Sequence, residues 1–314
     1  MKYLKTRAQQ GKISAKPLGK RILDHWQYYV FLAPALIFVL IFCYAPMYGV
    51  TVAFKNYSPM RGITGSAWVG FENFVKLFNL SKFWQVFKNT IVLNFIRLIF
   101  DFPAPIILAL MLNEVRCHWF QRITQTVVYL PHFMSWVVIA GIMFNILSTD
   151  GVINTIISHF GGTPVKFLAN PDTFRPLVVI SQIWKEAGWG TIIYLAALIN
   201  ISPEFYEAAM IDGASRIKQL IYITIPCILP TISIMLILRM GQIMNSGFDQ
   251  MFNLLNPSVY DVGDVIDTYV YRIGIVDGRF SMASAVSLFL NIINCAMLVA
   301  GDTISKKISG SGLY

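Results

Sequence analysis

Charge is what this 314-residue chain has least of: Asp, Glu, Lys and Arg together make up 13 %. A soluble domain carries about a quarter charged residues, so a water-soluble globular protein is excluded. Cysteine is scarce too. Cys43 and Cys295 lie inside apolar runs, Cys227 starts one, Cys117 sits in a short basic loop, and no C-x-x-C pair exists. Free thiols in such places behave as small apolar groups, and neither a disulfide nor a metal site is expected. His25, His118, His132 and His159 have no ligand spacing, and no G-x-S-x-G elbow is present. Nor is there a G-x-x-x-x-G-K-[ST] loop, since Gly11-Lys12 and Gly19-Lys20 have the wrong spacing to cradle phosphates. No catalytic residue is expected, and the chain is not an ATPase.

What is present is apolar: 56 % of residues, with a mean hydropathy of +0.59. Some of the fourteen prolines and twenty-one glycines fall inside the apolar runs, where membrane helices tolerate them. A membrane crossing needs about 20 mostly apolar residues, and six runs qualify: 28–54, 83–112, 123–147, 176–201, 221–248 and 280–301. The chain thus reads as an all-α membrane protein with six transmembrane helices. Residues 1–27 form a basic tail, 28–303 the membrane domain with a polar loop at 202–220, and 304–314 a C-terminal tail. The apolar run after the first tail is too long for a cleaved signal peptide and lacks a small-residue cleavage site.

Lys2, Lys5, Arg7, Lys12, Lys16, Lys20 and Arg21 stand against a single Asp24 in that tail. The positive-inside rule puts it in the cytoplasm, and six crossings return the C-terminus there. The first outer loop also carries Lys55, Arg61, Lys76 and Lys82, so the orientation rests on the tail. Within 69–78, Phe71, Phe74, Val75 and Phe78 recur at helical spacing. That segment is either a helix in the outer interface or one packed on its own protein.

Charges inside the runs are costly and need partners. Arg97 and Asp101 stand one helical turn apart and can neutralise each other. Lys185 and Glu186 are adjacent, so they are expected to point apart and not to pair. Arg239 is expected to face another subunit or a cluster of carbonyls.

The polar loop holds the most specific pattern. Ser202-Pro203-Glu204 is a helix start, with an N-cap, Pro in the first turn and an acid near the helix N-terminus. Ala208 and Ala209 allow close approach, and Gly213 can end the helix with φ > 0. The register Glu207-Ala208-Ala209, three residues, Gly213, then Ile223-Thr224-Ile225-Pro226 resembles the EAA motif of permease subunits in binding-protein-dependent ABC importers. Leu110-Met111-Leu112-Asn113-Glu114 followed by Tyr129-Leu130-Pro131 resembles the second and third spans of carbohydrate-type permeases, and Asn113-Glu114-Val115-Arg116 with Pro131-His132-Phe133-Met134-Ser135-Trp136 resembles their LplB-like, oligosaccharide subgroup.

That resemblance implies a type I importer (MetI-like) permease fold in a bacterial cytoplasmic (inner) membrane. It implies a loop, with Glu207, Ala208, Ala209, Asp212, Gly213 and Pro226, that couples to a separate ATPase dimer. That dimer would bind ATP and Mg; no cofactor is expected in this chain. It further implies a second permease subunit, an extracytoplasmic solute-binding protein and an oligosaccharide or related saccharide as substrate, with no nucleic acid partner. A polyol phosphate or amino acid permease of the same superfamily is the nearest alternative. A channel or carrier not driven by ATP, and then a membrane enzyme, are more distant ones. By position in the family pattern, the substrate pathway would include Gln182, Glu186 and Trp189 before the loop and Gly241, Gln242 and Asn245 after it. Each set is expected to form one helical face. Amides and carboxylates bond sugar hydroxyls and an indole stacks on a ring, but such groups also hold membrane helices together. Both readings stay open at this point.

Overall fold

The computed structural model describes residues 26–309. The basic tail up to His25, and with it the orientation argument, lies outside the described residues. The chain divides after Thr51 into two compact units. In the first, α1 (Trp26–Val39) continues through a π-turn at Leu40–Tyr44. Pro46 lacks an N–H and cannot keep the i→i−4 ladder, and the wider turn just ahead of it absorbs the mismatch.

The second unit opens with an antiparallel pair, β1 (Lys55–Asn56) and β2 (Ala67–Trp68). A short helix, Glu72–Phe78, follows inside the 69–78 segment. It is packed on the protein: Leu77 is fully buried, and Asn73 donates to the carbonyls of Ala53 and Lys55 at 2.9 and 3.0 Å. The principal helices are then α2 (Ser81–Phe100), α3 (Pro103–Glu114), α4 (His118–Tyr129), α5 (Trp136–Leu147) and α6 (Pro171–Ile199). After them come α7 (Pro203–Ile211), α8 (Ile225–Met240), α9 (Phe248–Leu254), α10 (Ile266–Tyr271) and α11 (Phe280–Ser309).

Among the described residues, five helical runs are long and apolar enough to cross a membrane: Trp26–Phe54, Ser81–Glu114, Trp136–His159, Arg216–Met240 and Phe280–Lys307. The remaining expected crossing, the fourth in chain order at 176–201, lies in the 29-residue α6. It is long enough, but Gln182, Lys185 and Glu186 dilute its middle. Two other expectations need correction. The run 123–147 is not one helix, because a 3₁₀ turn at Leu130–Phe133, centred on Pro131, separates α4 from α5. The run 221–248 stops being helical at Met240, and consecutive turns carry the chain from Gly241 to Asn245.

Lipid tails are as apolar as leucine, so close packing and satisfied polar groups hold membrane helices together rather than the hydrophobic effect. Phe83, Val86, Ile266 and Val286 form one buried cluster; Leu93, Phe174, Val178 and Met251 form a second; Ala109, Tyr194, Leu198 and Ile228 form a third. Polar ties lie among them. The fully buried Asp264 meets Arg272 at 2.6 Å and Lys82 at 3.5 Å. Asn89 donates to the Asp261 and Asp264 carbonyls, and Arg175 donates to Asn89 Oδ1. These contacts pin the segment between α9 and α10 onto α2 and α6.

Candidate functional site

Two features stand out, joined by one helix: a cavity among α2, α3, α6 and α8, and the loop that leads into α8.

The cavity has a volume of about 350 Å³, within the range of small-ligand sites. Its existence follows from a helix break. Pro103 offers no N–H, so α2 ends at Phe100, and Asp101 and Phe102 both turn their N–H groups back onto the Arg97 carbonyl. That bend turns Asp101 and Pro105 toward α6. On α6, Gln182, Glu186 and Gly190 recur every four residues and line the opposite wall, while Arg239 and Gln242 close it from α8 and the turn beyond.

Of the six residues expected on a pathway, three meet here: Gln182, Glu186 and Gln242. Gln182, Glu186 and Trp189 share one face of the continuous α6, but Trp189 does not line this cavity, and the set after Pro230 is split where α8 ends. Trp189 is turned away, with its ring stacked on His132 at 4.4 Å and nearly parallel. Gly241 lies against α11, where an added Cβ would stand 2.7 Å from Leu298 Cδ1. Asn245 sits beyond the end of α8, accepts from Asn294 at 3.4 Å, and lines a separate cavity of about 290 Å³ with Asp267 and Asn291.

The expectation that Lys185 and Glu186 point apart is also overturned. Lys185 Nζ reaches Glu186 Oε1 at 3.2 Å and donates to the His132 carbonyl at 2.6 Å, while His132 Nδ1 lies 2.7 Å from Glu186 Oε2. The third partner explains the pairing. The break after α4 brings His132 against α6, and both long side chains swing toward it. His132 is therefore a member of this wall that charge counting missed; its position next to Pro131, at a helix break, was the available signal.

Arg97 and Asp101 do approach, with Nε and Oδ2 3.9 Å apart. The carbonyl cluster expected for Arg239 belongs to Arg97 instead, which donates to the Ser246 carbonyl and to Gln250 Oε1. Both Asp101 oxygens are buried without a hydrogen bond among the described residues. Arg239 lies on the cavity wall, and its electrostatic partner is Asp101.

The loop begins and ends where its residues suggest, although Ser202 at the N-cap position makes no side-chain capping hydrogen bond. Pro203 starts α7, Asp212 caps it, and Gly213 follows at φ +72°. Ala214 N donates to Ala209 O at 2.8 Å and Gly213 N to Met210 O at 3.1 Å, the paired bonds of a Schellman ending. Glu207 and Ala208 are exposed and Ala209 is half-buried. Tyr206 Oη and Thr224 Oγ1, 3.0 Å apart, tie α7 to the π-turn Leu220–Thr224 that precedes Pro226. Arg216 reaches Glu114, at the end of α3, at 3.5 Å. From Pro226 to Arg239, α8 spans about 20 Å at 1.5 Å per residue, so one helix, with Pro230 inside it, leads from the loop to the cavity wall.

The family described as binding-protein-dependent transport system inner membrane component matches residues 101–308. The polygalacturonan/rhamnogalacturonan transport system permease protein YteP of Bacillus subtilis (strain 168) is 42 % identical over 304 residues, covering 96 % of this chain and 95 % of YteP. Protein LplB of the same organism is 44 % identical over 292 residues, covering 93 % and 92 %. A chain in the crystal structure of a bacterial alginate ABC transporter in complex with alginate pentasaccharide-bound periplasmic protein superposes with a TM-score of 0.88. It is 41 % identical and is covered to 99 %, against 94 % of this chain.

Proposed function

This chain belongs to the family of binding-protein-dependent transport system inner membrane components, and we propose that it is one of two permease subunits of an ATP-driven saccharide importer. The chain spans the membrane several times; α6 is the fourth of six crossings, its polar middle facing the transport path rather than lipid. Residues 28–303 form the permease domain. The tails, 1–27 and 304–314, and the loop 202–220 lie in the cytoplasm, and the protein resides in a bacterial cytoplasmic membrane. A separate ATPase dimer supplies energy and holds ATP and Mg.

The observation that carries this reading is mechanical. The segment Glu207–Gly213, closed by its glycine ending, is tied through Tyr206 and Thr224 to a helix whose far end carries Arg239 and leads into Gln242 on the cavity wall. Closure of the ATPase dimer would push the loop, tilt α8 and re-shape the cavity. Glu207, Ala208, Ala209, Asp212 and Gly213 form the contact, and Pro226 sets the angle at which α8 begins. A solute-binding protein would deliver an oligosaccharide to a path through Gln182, Glu186 and Gln242. Two of the similar proteins are described with acidic polysaccharides, polygalacturonan and alginate, which supports an acidic oligosaccharide as the substrate class.

Co-purification tests the assembly: the chain should capture an ATPase and a second permease, and trisaccharides of galacturonate should stimulate ATP hydrolysis by the reconstituted complex. A channel or carrier would purify without an ATPase.

A further inference from the structure

We propose that Arg239 is the residue that reads the charge of the substrate: it receives a carboxylate of an acidic saccharide, and Asp101 balances its guanidinium while the site is empty. This rests on the saccharide reading of the cavity given above.

Among the described residues, every other cation near the cavity has hydrogen-bonded partners. Lys185 is held by Glu186 and the His132 carbonyl. Arg97 is held by the Ser246 carbonyl and Gln250. Arg175 and Arg272 belong to the buried ties around Asn89 and Asp264. Arg239 forms no hydrogen bond or close ion pair among the described residues, yet it lines the cavity between Met235 and Gln242. A half-buried guanidinium on the cavity wall with its five donors unused by the protein matches a carboxylate through two parallel hydrogen bonds.

Asp101 does not use those donors. Its oxygens have no hydrogen bond, and it stands between two arginines, 3.9 Å from Arg97 Nε and within electrostatic range of Arg239. Asp101 is thus shared by two guanidinium groups, of which only Arg97 has hydrogen-bonded partners of its own. Asp267 acts on Arg97, but it opens on the other cavity, beside Asn245. When a substrate carboxylate engages Arg239, Asp101 keeps Arg97 as its counter-ion, so no charge is stranded. Gln182, Gln242 and Glu186 on the same walls offer partners for sugar hydroxyls.

The test compares trigalacturonate with its fully methyl-esterified form, which keeps the sugar and removes the charge. Binding is measured on the whole permease–ATPase complex in lipid nanodiscs, for wild type, Arg239→Gln and Arg239→Lys. Wild type should prefer the acid by about tenfold or more, the range for a hydrogen bond to a charged group. Arg239→Gln should bring the two ligands within about twofold, with the acid losing more affinity than the ester. Arg239→Lys, which keeps the charge but not the fork, should lose at least threefold of the preference, and it decides the matter if the Gln variant assembles poorly. An undiminished preference in either variant, or no preference in a wild type that binds both ligands, overturns the role of Arg239. A wild type that binds neither ligand overturns the saccharide reading of the cavity, and the role of Arg239 with it.

Discussion

Gly188 of α6 rests directly on the backbone of Val128 in α4: a Cβ built on it would stand 2.0 Å from the Val128 carbonyl oxygen. Backbone cannot yield as a flexible side chain can, so the two helices can approach this closely only while position 188 lacks a side chain. Gly188→Ala should destabilise the protein by about 3 kcal/mol, the upper end of overpacking costs. Gly141→Ala meets nothing within 4 Å and should stay within about 0.5 kcal/mol of wild type. Thermal unfolding of the purified complexes decides; equal midpoints for the two variants would contradict the packing.

The ending of α7 makes a different demand. At φ +72°, Gly213 has open space around it, so a substitution there meets strain rather than a clash. Gly213→Val should cost about 1–2 kcal/mol locally and re-aim the segment from Glu207 onward. Gly213→Asn should cost less, because Asn tolerates the left-handed region. Complexes of the Val variant should assemble yet lose most substrate-stimulated ATP hydrolysis, with the Asn variant intermediate. Full stimulation in the Val variant would separate the loop from coupling.

The parts of this molecule that were legible in the sequence are those set by local chemistry. Ser202-Pro203 begins a helix and Gly213 ends it wherever they occur, and Arg97 and Asp101 meet because one helical turn separates them. Relationships between helices were not legible. Whether Arg239 faces lipid, a neighbour or a cavity depends on the rotation of α8, which the bend at Asp101–Pro103 and the packing on α6 decide. The pathway residues after Pro230 were read as one helical face because the apolar run continues past Met240. The helix ends there, with Gly241 the one local sign, so Gln242 and Asn245 reach different cavities. Lys185 and Glu186 misled for a related reason: backbone direction separates neighbours, but long side chains converge when His132 supplies a common partner.

That three-way contact predicts non-additivity. Lys185 is buried, and Glu186→Ala leaves its ammonium with the His132 carbonyl and the face of Trp136 but no counter-charge, an imbalance worth about 1–3 kcal/mol. Removing both charges, as in Lys185→Met with Glu186→Leu, should cost less than the two single changes added together, since an apolar replacement strands nothing. The coupling should be about 0.5–3 kcal/mol in a double-mutant cycle on thermal stability. Strict additivity would mean that the contact is not formed in the membrane.

The two cavities also make separable predictions for transport. Gln182 and Gln242 face each other across the first one, and neither has a hydrogen bond that would hold it against another helix among the described residues. Their alanine variants should therefore assemble normally. Each should lower uptake per assembled complex by about two- to tenfold at sub-saturating substrate, the value of one hydrogen bond to a neutral hydroxyl. Asn245 differs because its amide is engaged by Asn294, whose Oδ1 in turn accepts from Met244 N. Asn245→Ala should disturb that join between α11 and the turn after α8, lowering stability while transport per assembled complex stays within about twofold. Trp189→Ala should resemble it, because the indole supports His132 rather than the cavity. Measuring uptake and assembly on the same preparations distinguishes the two patterns. Were Asn245→Ala to lose transport at full assembly while the two glutamine variants kept theirs, the path would run through the cavity beside Asp267, and the polar face of α6 would serve only to hold helices together.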